Sequence, residues 1–292
     1  MAAAPVNRLQ SLGKPRQMAH VDLTGVCGTM ISKSFWQGKS VIVTGGSSGI
    51  GRETCLAVAA AGARVGIIAR RESLLGETVA RMRASGGLAE AETCDVRDRA
   101  GLQAAVSALE ARLGPCDVAI ASAGIHRVSW PLEAAAARDV IDVNVAGCIN
   151  FFAAALPGML ARRRGHICGV ASIAALVGLP GNAAYCASKA AVVALLESLR
   201  LDAEPAGIRV TTACPGFVDT PMVTDEEREA GGLMPAAAAA AAILRAIERN
   251  RAETWFPART WLAASVARSL PPRIRAWVLR GQPRMEEPPS QA

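Results

Sequence analysis

From Ser40 onward, short β-branched runs alternate strictly with longer helical patterns, and this rhythm limits the possible fold more than any other feature of the chain. The candidate strands are SVIVT (40–44), RVGIIA (64–69), AETCDV (91–96), DVAIA (117–121), HICGV (166–170), IRVTTA (208–213) and ETWF (253–256). Apolar runs of this length, bounded by Gly or Pro, fit strands covered on both faces. Helical patterns lie between them, at 50–61, 72–85, 98–112, 133–161, 183–204 and 235–249. Strand and helix in alternation imply right-handed crossovers. The expected fold is therefore α/β, a doubly wound parallel sheet of seven strands with helices on both sides, in a single domain.

Composition narrows the class further. With 292 residues, 51% of them hydrophobic, the chain can bury a core without metal or disulfide staples. Aromatics reach only 4%, leaving few platforms on which nucleic-acid bases could stack, so no nucleic-acid partner is expected. An excess of 32 basic over 25 acidic residues favours phosphates, anionic cofactors and membrane surfaces without choosing among them. Eight cysteines are scattered with no CxxC pair, which reads as small apolar residues in a reducing, cytoplasmic setting. His20, His126 and His166 are isolated, and no metal site is expected. Gly165 to Ser188 is uncharged and long enough to span a bilayer, yet Pro180, Gly181 and Asn182 interrupt it, arguing for strand, loop and helix start.

Two flanks break the rhythm. Residues 1–37 lack periodicity and read as a flexible extension, or as an over-long start with Met18 or Met30 as the true beginning. The unit that carries the rhythm is placed at 38–257 and a basic amphipathic segment with its tail at 258–292. Between Pro257 and Gly281 the segment holds two tryptophans, several aliphatic residues, five arginines and a Pro-Pro break. It reads as two short helices capping the sheet or covering a dimer surface, or else as an interfacial segment meeting lipid headgroups.

After the first candidate strand comes Thr44-Gly45-Gly46-Ser47-Ser48-Gly49-Ile50-Gly51, running into a helix. Strand, glycine loop, helix and a second strand make a βαβ unit whose helix N-terminus suits a pyrophosphate, with Gly45, Ser47, Ser48, Gly49 and Ile50 against it. The second strand ends Ala69-Arg70-Arg71, with no acid until Glu72. A carboxylate is missing where the ribose hydroxyl of NAD would want one, and a guanidinium stands ready for a 2′-phosphate, so NADP(H) is the expected cofactor. The alternative is that Arg70 and Arg71 are a solvated helix start.

Ser172 follows the fifth candidate strand, at the carboxyl edge where open α/β sheets bind ligands. Thirteen residues on, Tyr185 and Lys189 stand at i and i+4 of a helix and share one face. An ammonium beside a phenol lowers its pKa, making it a usable acid and base near neutrality. Tyr185 is the single tyrosine in the chain.

Taken in order, TGGSSGIG (44–51), CDV (94–96), SAG (122–124), NVAG (144–147), the serine of VASIA (170–174), YCASK (185–189) and PGFVDT (215–220) resemble the short-chain dehydrogenase/reductase family from Trp36 to Pro257. The resemblance implies a Rossmann-like fold and a hydride transfer between nicotinamide and a ketone or secondary alcohol. It makes Tyr185 the proton donor in reduction, Lys189 the holder of the nicotinamide ribose, and Ser172 a hydrogen-bond donor to the substrate oxygen. Asn144 would anchor a water linking Lys189 to solvent. Asp95 and Val96 would meet the adenine, Ala123 and Gly124 the cofactor through their backbone. Thr220 and Val218, in the motif that opens with Pro215, would meet the carboxamide. One departure stands out: Ala121-Ser122-Ala123-Gly124 replaces the family's NNAG, which bears on cofactor affinity. The family also pairs helices corresponding to 133–161 and 183–204, implying a homodimer or homotetramer.

Walls for a small-molecule carbonyl or alcohol are expected from 173–182, 126–130 and 217–234, largely apolar, which favours a hydrophobic substrate. Gly231-Gly232 before Met234-Pro235 suggests a lid, and His126 is a candidate extra acid or base. Two other readings stay open: a membrane-surface reductase of a lipid-like 3-keto substrate using 257–281, and a non-catalytic NADP-binding protein.

Overall fold

The computed structural model describes residues 31–223, 228–229 and 231–280. The expected extension at 1–30 and the tail from 281 lie outside the described residues. A short helix, α1 (Lys33–Trp36), precedes β1 (Ser40–Thr44), α2 (Gly49–Ala60), β2 (Arg64–Ala69), α3 (Glu72–Ala84), β3 (Leu88–Thr93), α4 (Arg99–Leu113) and β4 (Val118–Ala121). The second half runs α5 (Ala134–Ile141), α6 (Gly147–Ala161), β5 (Gly165–Val170), α7 (Ala183–Ala203), β6 (Ile208–Pro215), β7 (Val218–Asp219), β8 (Met234–Pro235), α8 (Ala236–Glu248), β9 (Glu253–Phe256), α9 (Ala258–Ser269) and α10 (Pro272–Arg280).

Seven strands form one parallel sheet in the order β3-β2-β1-β4-β5-β6-β9. The strand order reverses at β1, which pairs with β2 on one side and β4 on the other, so a crevice opens over the carboxyl ends there. Successive side chains of a strand point to opposite faces. Accordingly Ile42 and Ile68 join Leu109, Phe151, Phe152 and Leu196 in one core, while Val41, Val43 and Val65 join Val58, Val79 and Ile243 in the other. Each such side chain stabilises the fold by roughly 2 kcal/mol when fully buried.

Strand and helix boundaries fall within a residue or two of the sequence pattern, with two exceptions. β3 was expected at 91–96 but spans Leu88–Thr93, in register from Arg64 with Leu88 to Ala69 with Thr93. It is an edge strand whose LAEAET alternates apolar with polar, so a search for continuous apolar runs slides past it onto Cys94–Val96. The helix expected at 133–161 is interrupted by a π-turn at Asp142–Ala146. Although the stretch Ala134–Ala161 is long and apolar enough to cross a membrane, half of its most apolar window is buried, with Phe151, Phe152 and Met159 against the sheet.

The boundary expected at residue 38 falls inside packed structure. Trp36 is fully buried and its Nε1 donates to Glu248 Oε1 at 2.6 Å, while Ser32 N–H donates to the same oxygen at 2.9 Å. The folded body therefore takes in at least Ser32–Gln37.

Candidate active site

A cavity of about 680 Å³ lies at the carboxyl edge of the sheet; every residue expected to hold the cofactor or carry the chemistry lines it except Asn144, whereas Leu176, Trp130 and Met234 of the expected substrate walls do not. Its two ends differ in chemistry, one glycine-rich and cationic, the other apolar.

At the first end, the loop from Thr44 to Gly51 leaves no room for a side chain at Gly45, Gly46 or Gly51. Gly45 has φ +71, and a Cβ there would lie 2.7 Å from the Ala123 backbone. A Cβ on Gly51 would collide with the Gly45 carbonyl oxygen. This close packing draws the loop down so that α2 begins beside the cavity, its first-turn N–H groups free for an anion. The SAG segment keeps that contact: Ser122 N–H donates to Thr44 O at 3.2 Å, and Ala123 N–H to Thr44 Oγ1 at 3.4 Å. A dinucleotide's pyrophosphate fits this cradle.

Arg70 and Arg71 both border the cavity at the end of β2. Arg71 Nη2 donates to Ser48 Oγ at 2.9 Å, tying the guanidinium to the glycine loop, a contact the sequence reading did not single out. Arg70 Nη1 stands 3.7 Å from Asp95 Oδ2. The Asp95 carboxylate belongs chiefly to Arg97, whose Nη2 lies 2.7 Å away, and that hydrogen bond holds it below its ordinary pKa. Val96 is buried beneath it against Gly147.

The end of β5, the 3-10 turn that follows it and the first turns of α7 converge at the middle of the cavity. Ser172 caps a 3-10 turn after β5, its Oγ accepting from Ala174 N–H at 3.1 Å. Tyr185 and Lys189 lie on the first turns of α7, with the Lys189 Nζ 5.6 Å from the Tyr185 ring centre and donating to Val170 O at 3.0 Å. Burial disfavours both charged forms. It pushes the Tyr185 phenol up to about 12, the hydrogen bond from Ser172 pulling the other way, and pulls the Lys189 ammonium down to about 8. The expected depression of the phenol by Lys189 does not govern in the protein itself, where burial raises the phenol and Ser172 is the group that opposes it. At neutral pH the phenol holds its proton.

Asn144 does not line the cavity and is buried behind it. The π-turn sets its side chain against the segment after β4, where Oδ1 accepts from Ile125 N–H at 2.8 Å. Its Nδ2 donates to Ile125 O at 3.0 Å and to Ser188 Oγ at 3.0 Å. Ser188 in turn donates to Tyr185 O at 2.7 Å. The side chain therefore braces α7 against the loop after β4.

His126 is buried, with its ring edge-to-face on Tyr185 at 4.8 Å between centres. Its Nε2 meets Asn182 Oδ1, and Asn182 Nδ2 donates to Pro180 O at 2.9 Å, so the imidazole is the donor toward Oδ1. It anchors the start of α7 and walls the phenol.

The far end is apolar: Ile173, Val177 and Leu179 on one side, Phe217 and Met222 on another. The ends of the expected lid are joined, with Val218 paired to Met234 and Met234 N–H donating to Phe217 O at 3.0 Å. Residues 224–227 and 230 within it lie outside the described residues. Closing this end is the segment from Ala258, as two helices separated at Pro271. Thr260, Ala263, Ala264 and Ala267 line the cavity from α9, and Val278 and Leu279 from α10. The sequence held the signal, because 260, 263, 264 and 267 repeat at i, i+3, i+4 and i+7 and mark one helical face of small residues.

A family model for short chain dehydrogenases matches residues 39–231. An uncharacterized oxidoreductase of Myxococcus xanthus is 35% identical over 239 residues, covering 80% of this chain and 93% of that one. One from Listeria monocytogenes is 37% identical over 201 residues, 66% of this chain and 81% of that protein. A glycine betaine reductase of Emericella nidulans is 38% identical over 206 residues, 68% of this chain but only 16% of its own length.

Proposed function

The chain belongs to the short-chain dehydrogenase family, whose reaction is oxidoreduction of CH–OH and C=O groups with a nicotinamide cofactor, and from that premise we propose an NADPH-dependent reductase of hydrophobic ketones, reversible toward the secondary alcohols. The observation that carries this reading is the meeting of Ser172, Tyr185 and Lys189 at the centre of one cavity whose two ends suit a phosphate-bearing dinucleotide and an apolar substrate.

The bound nicotinamide supplies the hydride. Ser172 and Tyr185 hold the substrate oxygen between them, and Tyr185 passes its phenolic proton to that oxygen as negative charge develops there. A phenol pushed up to about 12 arrives loaded at neutral pH, as reduction requires. Lys189, ammonium at that pH, faces the ribose side and offsets the charge left on Tyr185. Its position is held by Val170, that of Tyr185 by His126, and that of α7 by Asn144.

Arg70 and Arg71 support the choice of NADPH, since two guanidinium groups flank the end of β2 where NAD would call for a carboxylate. Titrating the protein with NADPH and with NADH, by fluorescence of the reduced nicotinamide, tests this. The expected preference for NADPH is about 100-fold, the scale of two charge-assisted contacts. A ratio of one or below contradicts it, and Arg70→Ala with Arg71→Ala is expected to erase the preference.

Assembly as a homo-oligomer is part of the same proposal. Ile149 and Leu160 on α6 and Leu201 on α7 are exposed apolar side chains on the helices expected to pair.

A further inference from the structure

We infer that α9 and α10, together with the apolar rim of the cavity, form a docking surface for an anionic phospholipid bilayer. The two helices divide their residues between two faces. Thr260, Ala264 and Ala267 turn inward to the cavity, whereas Leu262 and Val266, one turn apart, are exposed. On α10, Ile274 and Trp277 are exposed, Trp277 by 76%. Trp130, 70% exposed, and Phe217 belong to the other segments bordering the same end of the cavity. With Val278, seven of the thirteen large apolar side chains exposed among the described residues therefore lie on the segments that border the cavity.

Charge selects the occupant. Between Ala258 and Arg280 there are five arginines, at 259, 268, 273, 275 and 280, and no Asp or Glu. Exposed Trp and aliphatic residues among unopposed arginines match the headgroup region of an anionic bilayer, where aromatic rings and guanidinium groups are favoured together. A second copy of the chain fits poorly, since a two-fold contact sets this surface against itself and brings arginines against arginines. Docking in this way would place the apolar end of the cavity at the lipid surface, so that a hydrophobic substrate enters from the bilayer. That consequence rests on the proposed ketone reduction, whereas the docking does not.

The test is co-sedimentation of the full-length protein with vesicles of phosphatidylcholine alone and of phosphatidylcholine mixed with phosphatidylglycerol. Binding is expected to the anionic vesicles, at least ~10-fold tighter than to neutral ones and weakened by salt. Combining Arg273→Glu with Arg275→Glu is expected to lower it by ~25-fold or more, about 5-fold for each arginine removed. Trp277→Ser is expected to lower it by roughly 10-fold. Circular dichroism and NADPH titration of these variants should match the unaltered protein, which separates loss of docking from loss of the fold or site. No binding to anionic vesicles, equal binding to both lipids, or variants that bind as well as the parent would overturn the inference. So would a lipid-free dimer that Trp277→Ser dissociates, since the surface would then belong to a second copy. Failure of vesicle binding with NADPH titration intact removes the docking alone, and the reverse result removes the cofactor reading alone.

Discussion

Strand β5 has a buried titratable group at each end, and the two are held in different ways. At its start His166 is buried, with Nε2 2.8 Å from Thr211 Oγ1, and that hydroxyl gives its own proton to Arg251 O at 2.8 Å. The imidazole is therefore the donor and stays neutral. Burial, helped by the charge on Arg209, presses its pKa down to about 3. At the finish of the strand, Val170 O receives the Lys189 ammonium, lowered by burial to about 8. Desolvation acts at both ends, but at His166 the partners are internal, while Lys189 sits beside Ser172 and Tyr185 on the wall of a cavity. A perturbed pKa marks a site of chemistry only when polar groups also converge on space for a ligand.

The largest expected effect separates the two ends by chemistry. Tyr185→Phe should lower kcat for ketone reduction by ~10²–10³-fold, the scale of one donor lost from a developing oxyanion, and leave NADPH affinity nearly unchanged. Steady-state rates with a nucleotide titration check both halves, and turnover near that of the parent would erase the distinction between the ends of β5.

His166 predicts a smaller effect, on stability alone. Its folded-state pKa lies below the ordinary 6.5, so the unfolded chain takes up the proton first as pH falls. Stability from this residue is full above about pH 6.5 and is lost progressively toward pH 3, on the order of 2 kcal/mol by pH 4.5. Urea unfolding at pH 7 and 4.5 should show that loss, and His166→Gln should flatten the difference. An unchanged slope in the variant would mean that the acid sensitivity lies elsewhere.

Smallest is a change confined to the apolar end. Ala264→Phe fills space next to the 3-10 turn and should raise KM for bulky ketones by ~10-fold, about the worth of a few methylene contacts, without altering NADPH affinity. A matching loss of NADPH affinity would show that the two ends of the cavity are not independent.

Much of this was legible in the sequence, for physical reasons. Central strands such as β1 and β2 are buried on both faces, so SVIVT and RVGIIA announce themselves as apolar runs. β3, at the sheet edge, keeps one face polar and was misplaced by three residues. The glycine loop, Ser172, Tyr185 and Lys189 were readable because local geometry forces their spacing. What escaped was set by contacts distant in sequence: the Asn144 side chain reaching Ile125 and Ser188, Arg71 reaching Ser48, and Trp36 reaching Glu248. The direction of the Tyr185 shift escaped for a related reason, since i and i+4 spacing shows that an ammonium is near but not how much water the pair has lost.

The proton-donor role of Tyr185 is open to direct measurement because the chain has one tyrosine. Ring-labelled tyrosine gives a single NMR signal, whose chemical shift reports ionisation of this phenol. In the protein alone the signal should remain that of the neutral phenol through about pH 10.5, and saturating NADP⁺, with its cationic nicotinamide, should bring the midpoint down by a unit or more. A midpoint near the ordinary 10 that NADP⁺ leaves unmoved would contradict the account, for the phenol would then be neither buried in the site nor coupled to the cofactor it is meant to serve.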